Sequence, residues 1–323
     1  MKTAARSGAK AVLGAPHRQV AVGDDRDRFA LDLFDALWTR YRERVSYVQV
    51  YEQVVQEAGA TFVNDHIAFR TIACQRPAAG IASLSRIFSA LGYQTAGCYQ
   101  FPDKHLSSLH FQHPTPGFPK LFISELELWK LPAAIRKAVL RTLKTHRPPL
   151  ADETLAALAT VGELRPAARS KLLAQLVGYI HKLPWNLPPA KDVQAINEAS
   201  QFAAWVLVHG YNVNHFTALI NSHAVSDLDD IEKTIGRLRQ AGVPMKAEIE
   251  GAKGSKLRQT ATEAVVLDVP VRKGSKKTHI PWTYAYFELA QRGDIPDDTG
   301  KLSRFEGFLG AQATQLFEMT RRK

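Results

Sequence analysis

The feature that most constrains this chain is an internal repeat. Two segments share one order: an Asn/Asp-rich approach to a histidine in a β-branched, aromatic stretch, a helix closed by glycine, and a run of strand-like pieces. The first opens with Thr61-Phe62-Val63-Asn64-Asp65-His66-Ile67-Ala68-Phe69-Arg70-Thr71-Ile72, the second with Tyr211-Asn212-Val213-Asn214-His215-Phe216-Thr217-Ala218-Leu219-Ile220. His66 stands 26 residues before Gly92, and His215 stands 27 before Gly242. Matched order over that length predicts an α+β fold of two duplicated βαβββ modules.

Around the repeat, helical spacing predicts a helix from Arg28 to Gly59 and a helical insert from about 130 to 208. Further helices are expected at Ile81–Leu91 and Asp227–Ala241, the second capped by Ser226 or Asp227. Strands are expected near 94–100, 107–112, 121–128, 246–250, 258–262, 265–271 and 282–289. The resulting division is a disordered segment 1–27 and one catalytic domain 28–323, with module one at 60–128, the insert at 129–208 and module two at 209–310.

At 323 residues the chain can bury a substantial core, and its composition excludes collagen-like and wholly disordered classes. The longest apolar run, Phe202–Val208, is far short of the ~20 residues that span a bilayer, so no membrane partner is expected. Cys74 and Cys98 form neither a CxxC pair nor a disulfide framework, and with no visible signal peptide they suggest the cytoplasm. The formal net charge is +11. That excess lies in residues 1–22, in 129–150 and in Arg321-Arg322-Lys323, outside the repeated strands. Without interleaved aromatics it reads more simply as solvated helix face and tails than as a nucleic-acid surface.

Alternation along a strand puts His66 on one face with Asn64, Ala68 and Arg70. An imidazole and a guanidinium on an inward face need partners, such as a metal or an anion. His215 occupies the matching point of the second repeat. Glu288 lies in the aromatic stretch Trp282-Thr283-Tyr284-Ala285-Tyr286-Phe287-Glu288-Leu289, where alternation puts it on a face with Tyr284 and Tyr286. Each histidine alone is more often a hydrogen-bonded structural residue than a ligand. Together, two histidines and a carboxylate form a candidate facial triad of the kind that suits non-haem Fe(II), with Arg70 as a fork for a substrate carboxylate. Tyr284, Tyr286, Arg258 and Gln259 are further candidate substrate contacts. His105, His110 and His113 read as hairpin or loop residues, and Gly251–Lys256 lacks phosphate-loop spacing.

Several of these stretches, namely Asn64–Thr71, Phe122–Leu126, Ala204–Gly210, Asn214–Thr217 and Tyr286–Ala290, resemble the 2-oxoadipate dioxygenase/decarboxylase family. The likeness covers roughly residues 28–310. It implies a vicinal-oxygen-chelate-like half-barrel holding one Fe(II), with His66, His215 and Glu288 as ligands and Arg70 on the substrate carboxylate. It also implies conversion of 2-oxoadipate and O2 to 2-hydroxyglutarate and CO2, a step in lysine catabolism. Another metal-dependent enzyme on the same scaffold, such as an extradiol-type dioxygenase or isomerase, and a non-enzymatic basic nucleic-acid-binding protein are the alternatives.

Overall fold

The computed structural model describes residues 13–147, 150–296 and 300–310. Its centre is a seven-stranded sheet in which Asn64–Ala73 lies beside Val213–Leu219. Two long helices come first, α1 (Asp25–Arg44) and α2 (Tyr47–Glu57). The single helix expected over 28–59 is thus broken, at Val45–Ser46. Asp24 caps α1 by accepting a bond from the Asp27 amide. Part of the segment expected to be disordered is ordered from residue 13 on: Pro16–Gln19 form a turn of 3-10 helix, and buried His17 bonds Asp35 at 2.8 Å. Residues 1–12 and 311–323, which carry the basic ends, lie outside the described residues.

Module one runs β1 (Asn64–Ala73), α3 (Ile81–Ala90), β2 (Gln94–Phe101), β3 (Leu106–Gln112) and β4 (Lys120–Glu127). The insert holds α4 (Ala133–Leu143), α5 (Asp152–Ala159), α6 (Pro166–His181), α7 (Ala190–Ala199) and α8 (Gln201–His209). Module two runs β5 (Val213–Leu219), α9 (Ile231–Gln240), β6 (Leu257–Ala261), β7 (Val266–Lys273), β8 (Lys276–Thr283) and β9 (Glu288–Arg292). α9 starts later than expected, because the Asp230 side chain caps it through the Glu232 amide.

The modules are related across the antiparallel β1–β5 pair. In each, the first strand pairs parallel with the last, β1 with β4 and β5 with β9, and the last pairs antiparallel with the one before it in the sheet. Module two replaces the β2 edge with isolated bridges, from Glu250 to Gln259 of β6 and from Met245 to Thr262 just after it. It also carries an extra ribbon, β7–β8, outside the main sheet. Gly92 and Gly242 end the two module helices with φ of +98° and +81°, left-handed values that favour glycine.

Alternation along the central strands sorts their side chains. Phe216 packs edge-on to Trp38 of α1 at 5.0 Å, and Phe69 packs on Phe88 of α3 at 5.3 Å. The neighbouring histidines and Arg70 take the other direction, into a cavity. α8 is buried along its length from Phe202 to His209, and its rings form the floor beneath Arg70.

Candidate metal centre

Register explains why the two histidines meet. On the β1–β5 pair, His66 lies opposite Thr217 and Ala68 lies opposite His215, so the histidines are diagonal neighbours. Thr217 in turn lies opposite Glu288 on β9. The distances are 3.3 Å between the two Nε2 atoms, 3.5 Å from His66 Nε2 to Glu288 Oε1, and 3.4 Å from His215 Nε2 to Glu288 Oε2. His66, His215 and Glu288 each offer a donor atom within 4.8 Å of the others, and all three are buried.

The far side of each imidazole is already engaged. Asp65 Oδ2 accepts from His66 Nδ1 at 2.8 Å, and Asn214 Oδ1 accepts from His215 Nδ1 at 3.1 Å. Both bonds fix the tautomer that leaves Nε2 as a lone-pair donor pointing inward. Asp65 is held by Arg292 through bonds of 2.5 and 2.7 Å. Burial alone would raise the Asp65 carboxyl, but the Arg292 guanidinium holds it well below the usual carboxylate range. Gln259 Nε2 donates to Glu288 Oε1 at 2.6 Å, whereas Oε2 is buried without a hydrogen-bond partner.

That orphaned oxygen tests whether a cation belongs here. Burial, reinforced by Glu250, pushes the Glu288 carboxyl well above its ordinary range, and burial pushes both histidines down. A carboxylate that is costly to ionise, facing two neutral imidazoles with inward lone pairs, is relieved by a divalent metal. The nitrogen–nitrogen–oxygen donor set fits such an ion with coordination positions left open.

Arg70 lines the same cavity, 5.0 Å over the Phe202 ring and 5.3 Å over Trp205. Its charge and a hydrogen bond to Tyr286 partly offset the upward push of burial on that phenol. Ser124, Phe122, Gln259, Tyr286 and Phe308 complete much of the wall. About 30 Å³ of open space remains, enough for a water or two. The roof is Phe308, edge-on to His66 at 5.0 Å and packed on Phe122 at 4.9 Å. Arg292 holds this roof by donating to the Phe305 and Gly307 carbonyls at 3.0 and 2.8 Å, and Lys120 pairs with Glu306.

The residues singled out from sequence therefore separate. His66, His215, Glu288, Arg70, Tyr286 and Gln259 come together. Arg258 does not: it lies on the other face of β6 from Gln259, and its guanidinium is occupied by Glu232, with Asp230 at 3.8 Å. Tyr284 also lies elsewhere, stacked on Trp205 and beneath Arg44. The single strand expected over 282–289 is broken, β8 ending at Thr283 and β9 starting at Glu288, so alternation does not carry Tyr284 into the site. Asp65, Asn214, Arg292 and Phe308 were not anticipated as site residues. The paired Asp-His and Asn-His dipeptides signal the first two; nothing local signals the others.

A family model described as 2-oxoadipate dioxygenase/decarboxylase matches residues 33–316. A chloroplastic/amyloplastic 2-oxoadipate dioxygenase/decarboxylase from Oryza sativa subsp. japonica is 29% identical over 290 residues, covering 84% of this chain and 72% of its own length. The chloroplastic counterpart from Arabidopsis thaliana is 29% identical over 276 residues, covering 79% and 67%. Among solved structures, a glyoxalase superfamily protein from Ralstonia eutropha JMP134 superposes with TM-score 0.78 at 22% identity, covering 92% of this chain and 94% of that one. The hydroxyglutarate synthase from Oryza sativa, solved with 2-oxoadipate, superposes with TM-score 0.73 at 23% identity, covering 99% and 98%. These likenesses establish the glyoxalase-type, vicinal-oxygen-chelate half-barrel expected from the repeat and the family resemblance.

Proposed function

Because the chain belongs to the 2-oxoadipate dioxygenase/decarboxylase family, we propose that it is an Fe(II)-dependent enzyme converting 2-oxoadipate and O2 to 2-hydroxyglutarate and CO2. One observation carries this reading: two imidazoles and a carboxylate converge within 4.8 Å in a buried cavity that also holds Arg70. His66, His215 and Glu288 would hold the iron, which when bound supplies open positions for a 2-oxo acid and O2 and the electrons that activate oxygen.

The chain's own residues do the rest. Gln259 occupies Glu288 Oε1, so Oε2 is the oxygen left for the ion. Asp65 and Asn214 keep both histidines in the ligating tautomer. Arg70 takes a substrate carboxylate, with its plane set by Phe202 and Trp205 and its edge by Tyr286. Phe122 and Phe308 exclude water from the reacting end.

The site takes His66 from module one and His215 and Glu288 from module two, which supports reading 28–323 as one catalytic domain. Among the described residues no helix is long and apolar enough to cross a membrane. Cys74 and Cys98 are both free, which supports a reducing compartment such as the cytoplasm. The test is oxygen uptake by iron-loaded protein with 2-oxoadipate, scored with CO2 release and 2-hydroxyglutarate. One mole of each product per mole of O2 is expected. Absence of uptake across 2-oxo diacids of four to seven carbons would overturn the reading.

A further inference from the structure

A second and larger cavity lies on the other side of the Trp205–Tyr284 layer from Arg70. Its volume is about 700 Å³, and it opens between the helical insert and the β7–β8 ribbon. Arg44, Arg147 and Lys182 converge on it from the end of α1, the loop after α4 and the end of α6. Among the described residues, none of the three is ion-paired to a carboxylate. Asp268 is the only acid in the lining. A neighbouring hollow of about 410 Å³ shares Asn186 and Leu187 with the first and adds Arg141, Arg272 and Lys277. Of these, Arg141 is satisfied by Asp192, while the Arg272 guanidinium donates to the Gly274 carbonyl.

The innermost cation is built in. Arg44 Nη1 donates to Asn212 Oδ1 at 2.8 Å, and its guanidinium lies 5.5 Å over the Tyr284 ring. Asn212 is itself buried and fixed through its amide to the His181 and His209 carbonyls. Three like charges held toward one concave space repel each other unless an anion joins them. The volume falls in the range of small-molecule sites, and the cations converge on a pocket instead of lining a stripe. We propose that this cavity binds a small phosphate-bearing anion, at a site separate from the metal centre. Phosphate oxygens match the guanidinium forks, and one phosphate brings nearly two charges to the cluster. The insert's positive charge, unused at the metal centre, acquires a role here.

The test is calorimetric titration of the full iron-loaded chain, without oxygen, with inorganic phosphate and with AMP in 150 mM salt. Dissociation constants below about 1 mM are expected, weakened at least tenfold in an Arg147→Ala/Lys182→Ala variant. Both side chains are exposed, so the fold should survive, and an unchanged melting temperature verifies that. Should that variant be poorly behaved, Lys182→Glu alone tests the same loss. Tighter binding of AMP assigns a nucleotide and equal binding assigns the phosphate alone; either supports the site. No heat with either probe at 5 mM, or equal affinity in the variant, would overturn it. So would a single-stranded oligonucleotide that outcompetes AMP, because the surface would then belong to nucleic acid.

Discussion

The two modules are built on one plan but do different work at the point where they meet. Module two contributes His215 and, on the strand beside it, Glu288 opposite Thr217. By the same register in module one, two residues after His66, the residue opposite Ala68 on β4 is Phe122. The acids further along β4 are engaged elsewhere: Glu125 accepts from the Ile81 amide at the start of α3, and Glu127 pairs with Lys130. Duplication therefore supplies two histidines, and divergence supplies a single carboxylate. A fully symmetric pair would present four ligands and leave an octahedral ion two open positions, one fewer than a chelating 2-oxo acid and O2 together require.

The sharpest way to break this comparison is to remove one proposed ligand from either side. On the proposed iron reading, His66→Ala, His215→Ala and Glu288→Ala should each cut bound iron, measured by elemental analysis, to below about a tenth of the wild-type content. Oxygen uptake should fall at least about a thousandfold. If a module-one variant kept its iron while the module-two variants lost it, the ion would belong to module two alone.

Restoring symmetry should do the opposite to the metal and nearly as much to turnover. Phe122→Glu puts a second carboxylate beside His66, so iron should be retained while oxygen uptake drops about a hundredfold. Normal uptake in that variant, with its melting temperature within a few degrees of wild type, would show that the fourth position is not the one used.

A smaller effect distinguishes the supports behind the histidines. Asp65 is charged and clamped by Arg292, whereas Asn214 is neutral. Asp65→Asn should weaken iron binding about 10- to 100-fold in a chelator competition, and Asn214→Ala by less. Equal losses would mean that Asp65's charge adds nothing beyond orientation.

How far the sequence discloses this asymmetry follows from physics. The repeat, both histidines and the glycine stops are visible because strand and helix periods and left-handed turns are local properties. Arg70 is visible because it shares a strand face with His66. Glu288 is visible by type, though its strand is interrupted at 284–287, and that interruption is why alternation does not bring Tyr284 to the site. Arg258 is not legible as occupied, because its partner, Glu232, comes from the start of α9, a contact alternation along β6 cannot reveal. Arg292 and Phe308 were missed for the same reason: their importance rests on contacts with Asp65 and His66, more than 200 residues away.

The smallest expected effect concerns the ribbon that module two alone carries. His209 Nε2 donates to the Thr283 carbonyl at the end of β8, at 2.9 Å. Burial, assisted by Arg44 and Arg70, pushes this imidazole down to about 3. An unfolded histidine takes its proton near 6.5, so between those values the unfolded chain binds more protons than the folded one. The stability this group contributes is therefore complete above pH 6.5 and is lost as pH falls toward 3, by up to about 1.4 kcal/mol per pH unit. His209→Gln keeps a donor for Thr283 and cannot titrate. Urea unfolding between pH 7 and 5 should then show a slope shallower than wild type by about one proton. Equal slopes would mean that the imidazole is reached by water and that the ribbon is not anchored through it.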